Sequence, residues 1–466
     1  MTSTKTRFAP SPTGLMHLGN ARTALFSALF GDRFLLRIED TDKERSRSEF
    51  VEELIADLRW LGVNWDEGPK NAEPDERYFQ SCRGAIYQRY YEQLEQQGRA
   101  YYCFCSPREL EISRKIQLSS GQPPRYTGKC SHLTAAEVKR KFDEGLRPTL
   151  RFRVPKNETV EFEDLVRGPQ KFATDDIGDF IIRRADGSAA FFFCNAIDDA
   201  LMGVTHVLRG EDHLANTPRQ MLVLSALGLP IPQYAHISLI LGNDGAPLSK
   251  RNGSRSLKQL REEGYFPSAL LNMLARLGHH YDSDELMDFK ALKANFDLSR
   301  LGKSPARFDI VHLDHWQQMV VRSADDETLR GWLRKETAAI VPNEHLAAFI
   351  EIVRSNCVFP DQADRWARIL FTDELQLDPD AAETAAQAGE SYYLSAIDAA
   401  NAAQGEFDVF MRELKARTGV KGKALFMPLR AALTGRLDGP ELGTIYRLLD
   451  PHRLHRRLAE FTYESE

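Results

Sequence analysis

Histidine and glycine at a helix start, and lysine on a loop, are residue types that handle phosphate. The sequence holds both. Ser11-Pro-Thr-Gly14 leads into His17-Leu-Gly19-Asn20 at the head of an apolar helical stripe. A helix N-terminus offers free backbone N–H groups and the positive end of its dipole, a natural seat for phosphate. Gly19 lets a flat base or ribose approach the backbone closely. His17 can donate a hydrogen bond to a phosphate oxygen as charge builds there. Simple packing at a helix start is the competing account of so short a motif. Some 230 residues later, Pro247-Leu-Ser-Lys250-Arg251-Asn-Gly253 forms a basic loop after a strand. Lysine on such a loop is a compact point charge able to meet a departing pyrophosphate; a solvated surface loop is the competing account. A third set is Cys103-x-Cys105, then 24 residues, then Cys130-x-His132. Three thiolates and one imidazole make a suitable tetrahedral zinc set, and a closed site of this kind is structural and activates no water. The knuckle spacing of one residue is tight, and free buried cysteines beside an unrelated histidine are the alternative. Cys82, Cys194 and Cys357 read as ordinary small core residues.

These groups need elements to hold them. A short strand from Thr6 enters the rigid turn Phe8 to Gly14, with two prolines and a glycine. His17 to Phe30 reads as a helix, Arg33 to Ile38 as a buried parallel strand, and Ser48 caps a second helix that ends at Gly62. Strand, helix, strand, helix at this pace predicts an α/β sheet with crossover helices. From about Asp75 the texture changes. A helix from Arg77 to Gln97 precedes the cysteine-rich stretch, and strand character returns at Phe180 to Ile182 and Ala190 to Phe193. Val204 to Leu208, a helix from Thr217 to Leu227, and His236 to Leu241 resume the βαβ rhythm. The simplest reading is one α/β domain interrupted between about 75 and 195. Beyond about 310 the segments Leu346 to Val353, Phe407 to Lys415 and His452 to Phe461 read as helices.

Composition bounds the answer. The 466 residues suggest roughly three domains. Hydrophobic content of 42% and charged content of 27% exclude disordered and collagen-like classes. No apolar run approaches the ~20 residues a membrane helix needs, and the N-terminus has no apolar core of a secretory signal. Six cysteines are too few for a disulfide framework and fit a reducing cytosol. The expectation is a cytoplasmic protein with no membrane partner. The net charge of −6 argues against bulk nonspecific binding to nucleic acid but allows a local basic face.

The order and spacing of the helix-start and loop motifs resemble the HIGH and KMSKS signatures of class I aminoacyl-tRNA synthetases. The blocks Arg7 to Gly14, Arg37-Ile-Glu-Asp-Thr-Asp42, Asp198-Asp-Ala-Leu-Met-Gly203, Arg209-Gly-Glu-Asp-His213 with Asn216-Thr-Pro-Arg-Gln220, and Lys423 to Arg430 resemble bacterial glutamyl-tRNA synthetases in colinear order. The resemblance implies an α/β Rossmann-type catalytic domain with an α+β insertion, followed by an all-α C-terminal anticodon-binding region. It divides the chain into 1–75 and 196–255 for the two Rossmann halves, 76–195 for the acceptor-arm-binding insertion, 256–310 for a stem-contact region and 311–466 for the anticodon-binding region. The implied activity is ATP-dependent ligation of L-glutamate to the 3′-terminal adenosine of tRNA(Glu) through glutamyl-adenylate, with tRNA(Gln) as a second candidate substrate. ATP with Mg2+ and a structural Zn2+ are the implied cofactors, and the expected state is a monomer.

Residue by residue, the resemblance assigns catalysis to His17, Gly19, Lys250 and Arg251, and ATP binding to His17, Gly19, Asp212, His213 and Lys250. Glutamate falls to Arg7, Ala9, Ser11, Glu39, Phe191, Asn195 and Arg209, and zinc to Cys103, Cys105, Cys130 and His132. The chemistry agrees: guanidinium forks match carboxylates, and an arginine facing the side chain favours glutamate over glutamine, which cannot complete a charged pair. Three positions depart from the family pattern. Pro247 replaces the first lysine of the loop, Asn20 stands at the fourth position of the helix-start motif, and Phe191 lacks the hydroxyl of the tyrosine found there in some members. From Arg412 to Arg436 there are seven basic residues against one acid, a local +6 that suits a tRNA arm, or otherwise a solvated helix face. Phe426 and Arg430 are the stacking and phosphate candidates. Competing functions are a glutamyl transferase acting on a tRNA base, a glutaminyl-tRNA synthetase and a non-catalytic RNA-binding paralogue. The length past 310, the helical C-terminal end, and the intact His17, Gly19, Lys250, Arg7 and Arg209 argue against each in turn.

Overall fold

The computed structural model describes residues 3–42, 44–242, 244–248 and 255–462. The first strand, β1 (Lys5–Phe8), leads through the Pro-Ser-Pro turn into helix α1 (Leu18–Phe30), and β2 (Arg33–Leu36) returns parallel to β1. α1 forms because Leu18, Ala21, Ala24, Leu25, Ala28 and Leu29 bury one face behind the strands. Helix α2 (Ser48–Trp60) follows, with Gly62 at φ +77° after it. Its cap differs from expectation: Ser48 is already helical, and Arg47 precedes it with no side-chain capping bond.

Helix α3 (Gly84–Gln96) starts later than the pattern from Arg77 suggests. The Asp75 carboxylate takes the N–H groups of Arg77 and Tyr78 at 2.8 and 3.0 Å, folding them into a turn instead. Next come β3 (Ala100–Cys103), α4 (Pro107–Ser119), α5 (Ala135–Asp143), β4 (Thr149–Phe152), β5 (Thr159–Asp164), β6 (Gly168–Ala173), α6 (Thr174–Ile177) and β7 (Phe180–Arg183). Strands β3, β4 and β7 make a small antiparallel sheet. The β5–β6 hairpin joins the catalytic sheet instead.

Helix α7 (Phe191–Leu201) corrects the strand expected at Ala190 to Phe193. Phe193, Cys194, Ala196, Ile197 and Ala200 are buried, leaving no polar face to reveal the helical period. The βαβ rhythm then holds: β8 (His206–Gly210), α8 (Thr217–Leu227), β9 (Gln233–Ile237) and β10 (Ile240–Leu241). The sheet order is β6-β5-β9-β8, with β8 parallel to β9. β1 sits beside β8, where Thr205 N–H donates to the Lys5 carbonyl at 2.9 Å. Helices α9 (Leu257–Glu263), α10 (Pro267–Arg276) and α11 (Phe289–Ala294), then β11 (Ala306–Arg307), lead to α12 (Ile310–Ser323).

The chain divides into two compact units, 1–262 with 267–313, and 263–266 with 314–466. The second is helical throughout its described residues: α13 (Asp326–Trp332), α14 (Lys335–Ile340), α15 (Leu346–Asn356), α16 (Pro360–Phe371), α17 (Pro379–Ala388), α18 (Glu390–Ala403), α19 (Phe407–Thr418), α20 (Lys423–Thr434), α21 (Leu442–Leu448) and α22 (Pro451–Ala459). Its core gathers Phe349, Val353, Trp366, Leu370, Tyr393, Phe410 and Leu429. Among the described residues, no helix is long and apolar enough to cross a membrane.

Candidate active site

The strap after β1 is fixed by backbone bonds to the strand beside it: Arg37 N–H to the Phe8 carbonyl at 3.0 Å and Glu39 N–H to the Pro10 carbonyl at 2.9 Å. Ala9 is thereby half-buried and Ser11 exposed above the sheet edge. His17 caps α1, its Nδ1 accepting the Asn20 N–H at 3.4 Å. Gly19 makes room for this ring, since a Cβ there would meet His17 Cε1 at 3.1 Å. The space is taken by the protein's own histidine, a more local need than the ligand approach expected from sequence.

Beneath the strap lies a buried charge cluster. Arg7 donates through Nε to both oxygens of Asp199 at 3.2 and 3.3 Å and through Nη1 to the Leu208 carbonyl. Arg37 donates to Asp199 at 2.7 Å and to Glu39 at 3.0 Å. Asn195 donates to the same Glu39 oxygen and accepts from Gln220 at 2.7 Å. Burial works against ionisation of Asp199, yet Arg37 and Arg7 overcome it and hold its carboxyl below the usual value. For Glu39 burial wins over the same arginines, and its carboxyl is pushed up. Arg209 is 5% exposed, and no carboxylate of the described residues pairs with its guanidinium. Burial brings it down to about 10, still charged at neutral pH. Arg7 and Arg37 are thus paired with Asp199 and Glu39, whereas Arg209 has only the neutral partners His236 and Thr217.

The β8–α8 turn carries Asp212, exposed, and His213, whose ring lies 5.3 Å from that of Phe191 at the head of α7. Burial, reinforced by Arg209, lowers His213 to about 4, so its imidazole is neutral. Pro247 pairs with Leu241, and Leu248 N–H donates to the Ile240 carbonyl at 2.9 Å. Downstream, Ser256 pairs with His17, and Leu257 N–H donates to the Met16 carbonyl at 3.0 Å. Lys250 and Arg251 lie outside the described residues.

Residues 3–315 match the catalytic-domain model of class I tRNA synthetases for glutamate and glutamine, and 326–462 match an anticodon-binding domain. The chain is 70% identical over 466 residues to glutamate–tRNA ligase 1 of Methylococcus capsulatus, covering all of both chains. The chain belongs to the glutamate–tRNA ligases. A second relative, glutamate–tRNA ligase 2 of Alkalilimnicola ehrlichii, is 56% identical over 455 residues, covering 96% of this chain and 95% of that one. A crystal structure of a glutamate tRNA ligase from Elizabethkingia meningosepticum in complex with its amino acid superposes with a TM-score of 0.88 at 29% identity, covering 99% of each chain.

A Rossmann-like catalytic domain precedes an all-helical anticodon-binding one. The thiols of Cys103, Cys105 and Cys130 in this ligase lie within 4.8 Å of one another. Cys105 and Cys130 Sγ are 3.7 Å apart, near the edge of about 3.8 Å that a tetrahedron of ~2.3 Å zinc–thiolate bonds requires. The fourth group beside them is the Tyr126 hydroxyl, 3.4 Å from Cys103 Sγ and 3.6 Å from Cys105 Sγ. His132 is exposed and stands outside that group. Cys194 and Cys357 are buried as expected, whereas Cys82 is exposed. Sequence reasoning gave no role to Asp198 or Asp199, although both stand in a recognised block. Asp198 accepts from Arg83, Gln80 and Tyr87 at 2.6 to 3.0 Å, tying α7 to α3. Asp164, Thr217 and His236 also escaped it, and nothing in the linear sequence links them.

Proposed function

We propose that this glutamate–tRNA ligase activates L-glutamate in the buried charge cluster and transfers it to the 3′-terminal adenosine of tRNA(Glu), with AMP and pyrophosphate as products. The observation that carries the reading is the buried guanidinium of Arg209, which no carboxylate of the described residues pairs with. Glutamate brings two carboxylates and can supply that partner. Arg209 and the outward Nη2 of Arg7 receive carboxylate oxygens. Glu39, steadied by Arg37 and Asn195, faces the ammonium, with Ala9, Ser11 and Phe191 as walls. His17 and the first N–H groups of α1 hold the ATP phosphates, with Gly19, Asp212 and His213 around the nucleotide. Lys250 and Arg251 stabilise the departing pyrophosphate. Positioning and charge stabilisation do the work, and no side chain acts as nucleophile. Magnesium enters with the ATP and offsets phosphate charge.

Zinc belongs to the same reading as a structural ion, held by Cys103, Cys105 and Cys130. The fourth ligand is Tyr126 as the side chains stand, and His132 if its exposed ring turns inward. Bound, it would crosslink β3 to the Tyr126–Cys130 turn. The acceptor end of the tRNA lies along a cavity of about 900 Å3 whose lining includes Arg125, Arg151, Phe192, Asn216 and Arg219. A monomer acting in the cytoplasm completes the reading.

Glutamate-dependent ATP–pyrophosphate exchange, run without tRNA and with tRNA(Glu) or tRNA(Gln), tests it. Exchange with glutamate, and charging of tRNA(Glu), are expected; the tRNA(Gln) arm fixes the scope. No exchange by folded protein under any of these conditions would overturn the proposal.

A further inference from the structure

The guanidinium of Arg209 has neutral partners in place of a carboxylate. On the parallel pair β8–β9 it lies in register with His236, and its Nε–H donates to His236 Nε2 at 3.2 Å. Its Nη2 donates to the Thr217 hydroxyl at 2.7 Å, and that oxygen lies 3.0 Å from the same Nε2. The far nitrogen of the ring, Nδ1, is 2.5 Å from Asp164. Asp164 also accepts the backbone N–H groups of Val166, Arg167 and His236, at 2.7 to 3.2 Å. Both Asp164 and His236 have fully buried side chains.

The protonation states follow from the donors. Nε2 must accept from Arg209, so the ring proton sits on Nδ1 and points at Asp164. Asp164, facing that proton and three backbone N–H groups, is held ionised below its usual value even though burial opposes it. Burial likewise lowers the imidazole and keeps it neutral. An imidazolium would turn Nε2 into a donor aimed at a donor. We infer that Asp164 and His236 are a positioning pair that fixes the plane of Arg209, and through it the selection of glutamate. Asp164 comes from the β5–β6 hairpin, so an element within the inserted stretch, paired into the catalytic sheet beside β9, sets the substrate's anchor.

This rests on the reading of Arg209 as the carboxylate anchor, and the test separates the two. Pyrophosphate exchange is measured on the full chain with tRNA(Glu), with KM for glutamate and for ATP read independently. His236→Leu removes the acceptor. A hydrogen bond to a charged group lost there raises KM for glutamate about 10- to 100-fold while KM for ATP stays within about 3-fold. His236→Gln, whose amide oxygen can take the place of Nε2, recovers most of the loss. Asp164→Asn falls between them and carries the same test should His236→Leu fail to fold. An unchanged KM for glutamate in folded His236→Leu and Asp164→Asn, beside a raised KM in Arg209→Lys, would overturn the positioning role alone. An unchanged KM in Arg209→Lys would overturn the anchor reading and this inference together. Equal rises in both KM values would assign the pair a merely structural part and overturn it too.

Discussion

His17 lies across the first turn of α1 because position 19 carries no Cβ: a methyl group there would sit 3.1 Å from Cε1 and 3.2 Å from Nδ1 of the ring. Gly19→Ala therefore makes the imidazole give way by a few tenths of an ångström while leaving the α-helical backbone easy to form. The expected result is a fall of about 10-fold in kcat for pyrophosphate exchange. His17→Ala, which removes a donor to developing charge outright, costs about 10²- to 10³-fold. Equal rates for Gly19→Ala and the parent would show that the ring is placed by something else. At the cysteine cluster the residue question is which group completes the set. Tyr126→Phe should lower bound zinc per chain, measured by atomic emission after dialysis, whereas His132→Ala should leave it near the parent value. The reverse result would make His132 the fourth ligand. His17, Gly19 and the cysteines were legible because each sits in a short local pattern. Tyr126 was not, since only folding brings its hydroxyl between the thiols.

The elements of the catalytic half illustrate what periodicity can and cannot carry. α1 and α8 were legible because each has a boundary signal beside its apolar stripe. α7 was not, because burial on every side erases its period. The misreading matters for function, since α7 presents Asn195 to Glu39 and Asp199 to Arg7 and Arg37. α2 and α9 offer a second test at this scale. Asp57 of α2 is fully buried, neither of its oxygens has a hydrogen-bond partner, and its nearest cation is Arg261 of α9 at 3.4 Å. Burial raises its carboxyl to about 6, with Arg261 pulling the other way. The folded chain therefore keeps a proton that the unfolded chain releases near pH 4. On this group's account stability is present below pH 4 and is lost as pH rises through 6. The loss is about 1–3 kcal/mol, a tenfold change in proton affinity being worth about 1.4 kcal/mol. Asp57→Asn should flatten that limb of a urea-midpoint series between pH 4 and 8. Parallel curves for parent and variant would refute the assignment.

At the scale of the molecule, the local +6 of residues 412–436 resolves into two kinds of charge. Arg417 and Arg436 are paired with acids, and Arg430 donates through Nη1 to the Asp438 and Pro440 carbonyls. Arg412, Lys415, Lys421 and Lys423 are exposed, with no ion pair among the described residues, and Phe426 beside them is 44% exposed. Replacing Lys415, Lys421 and Lys423 together by alanine should weaken tRNA binding and flatten its salt dependence by about one unit of log–log slope per lost phosphate contact. KM for ATP should not change, and an unaltered slope would mean this face does not meet RNA. The sequence by itself determined the family and the order of catalytic and anticodon regions, because motif chemistry is written in short runs. Only the tertiary structure decided which charges are already neutralised by neighbours. Arg7 and Arg37 find Asp199 across 192 and 162 positions, and Asp164 finds His236 across 72. That Arg209 is the guanidinium these pairings leave without a carboxylate beneath the strap, among the described residues, depends on distant pairs that no local pattern contains.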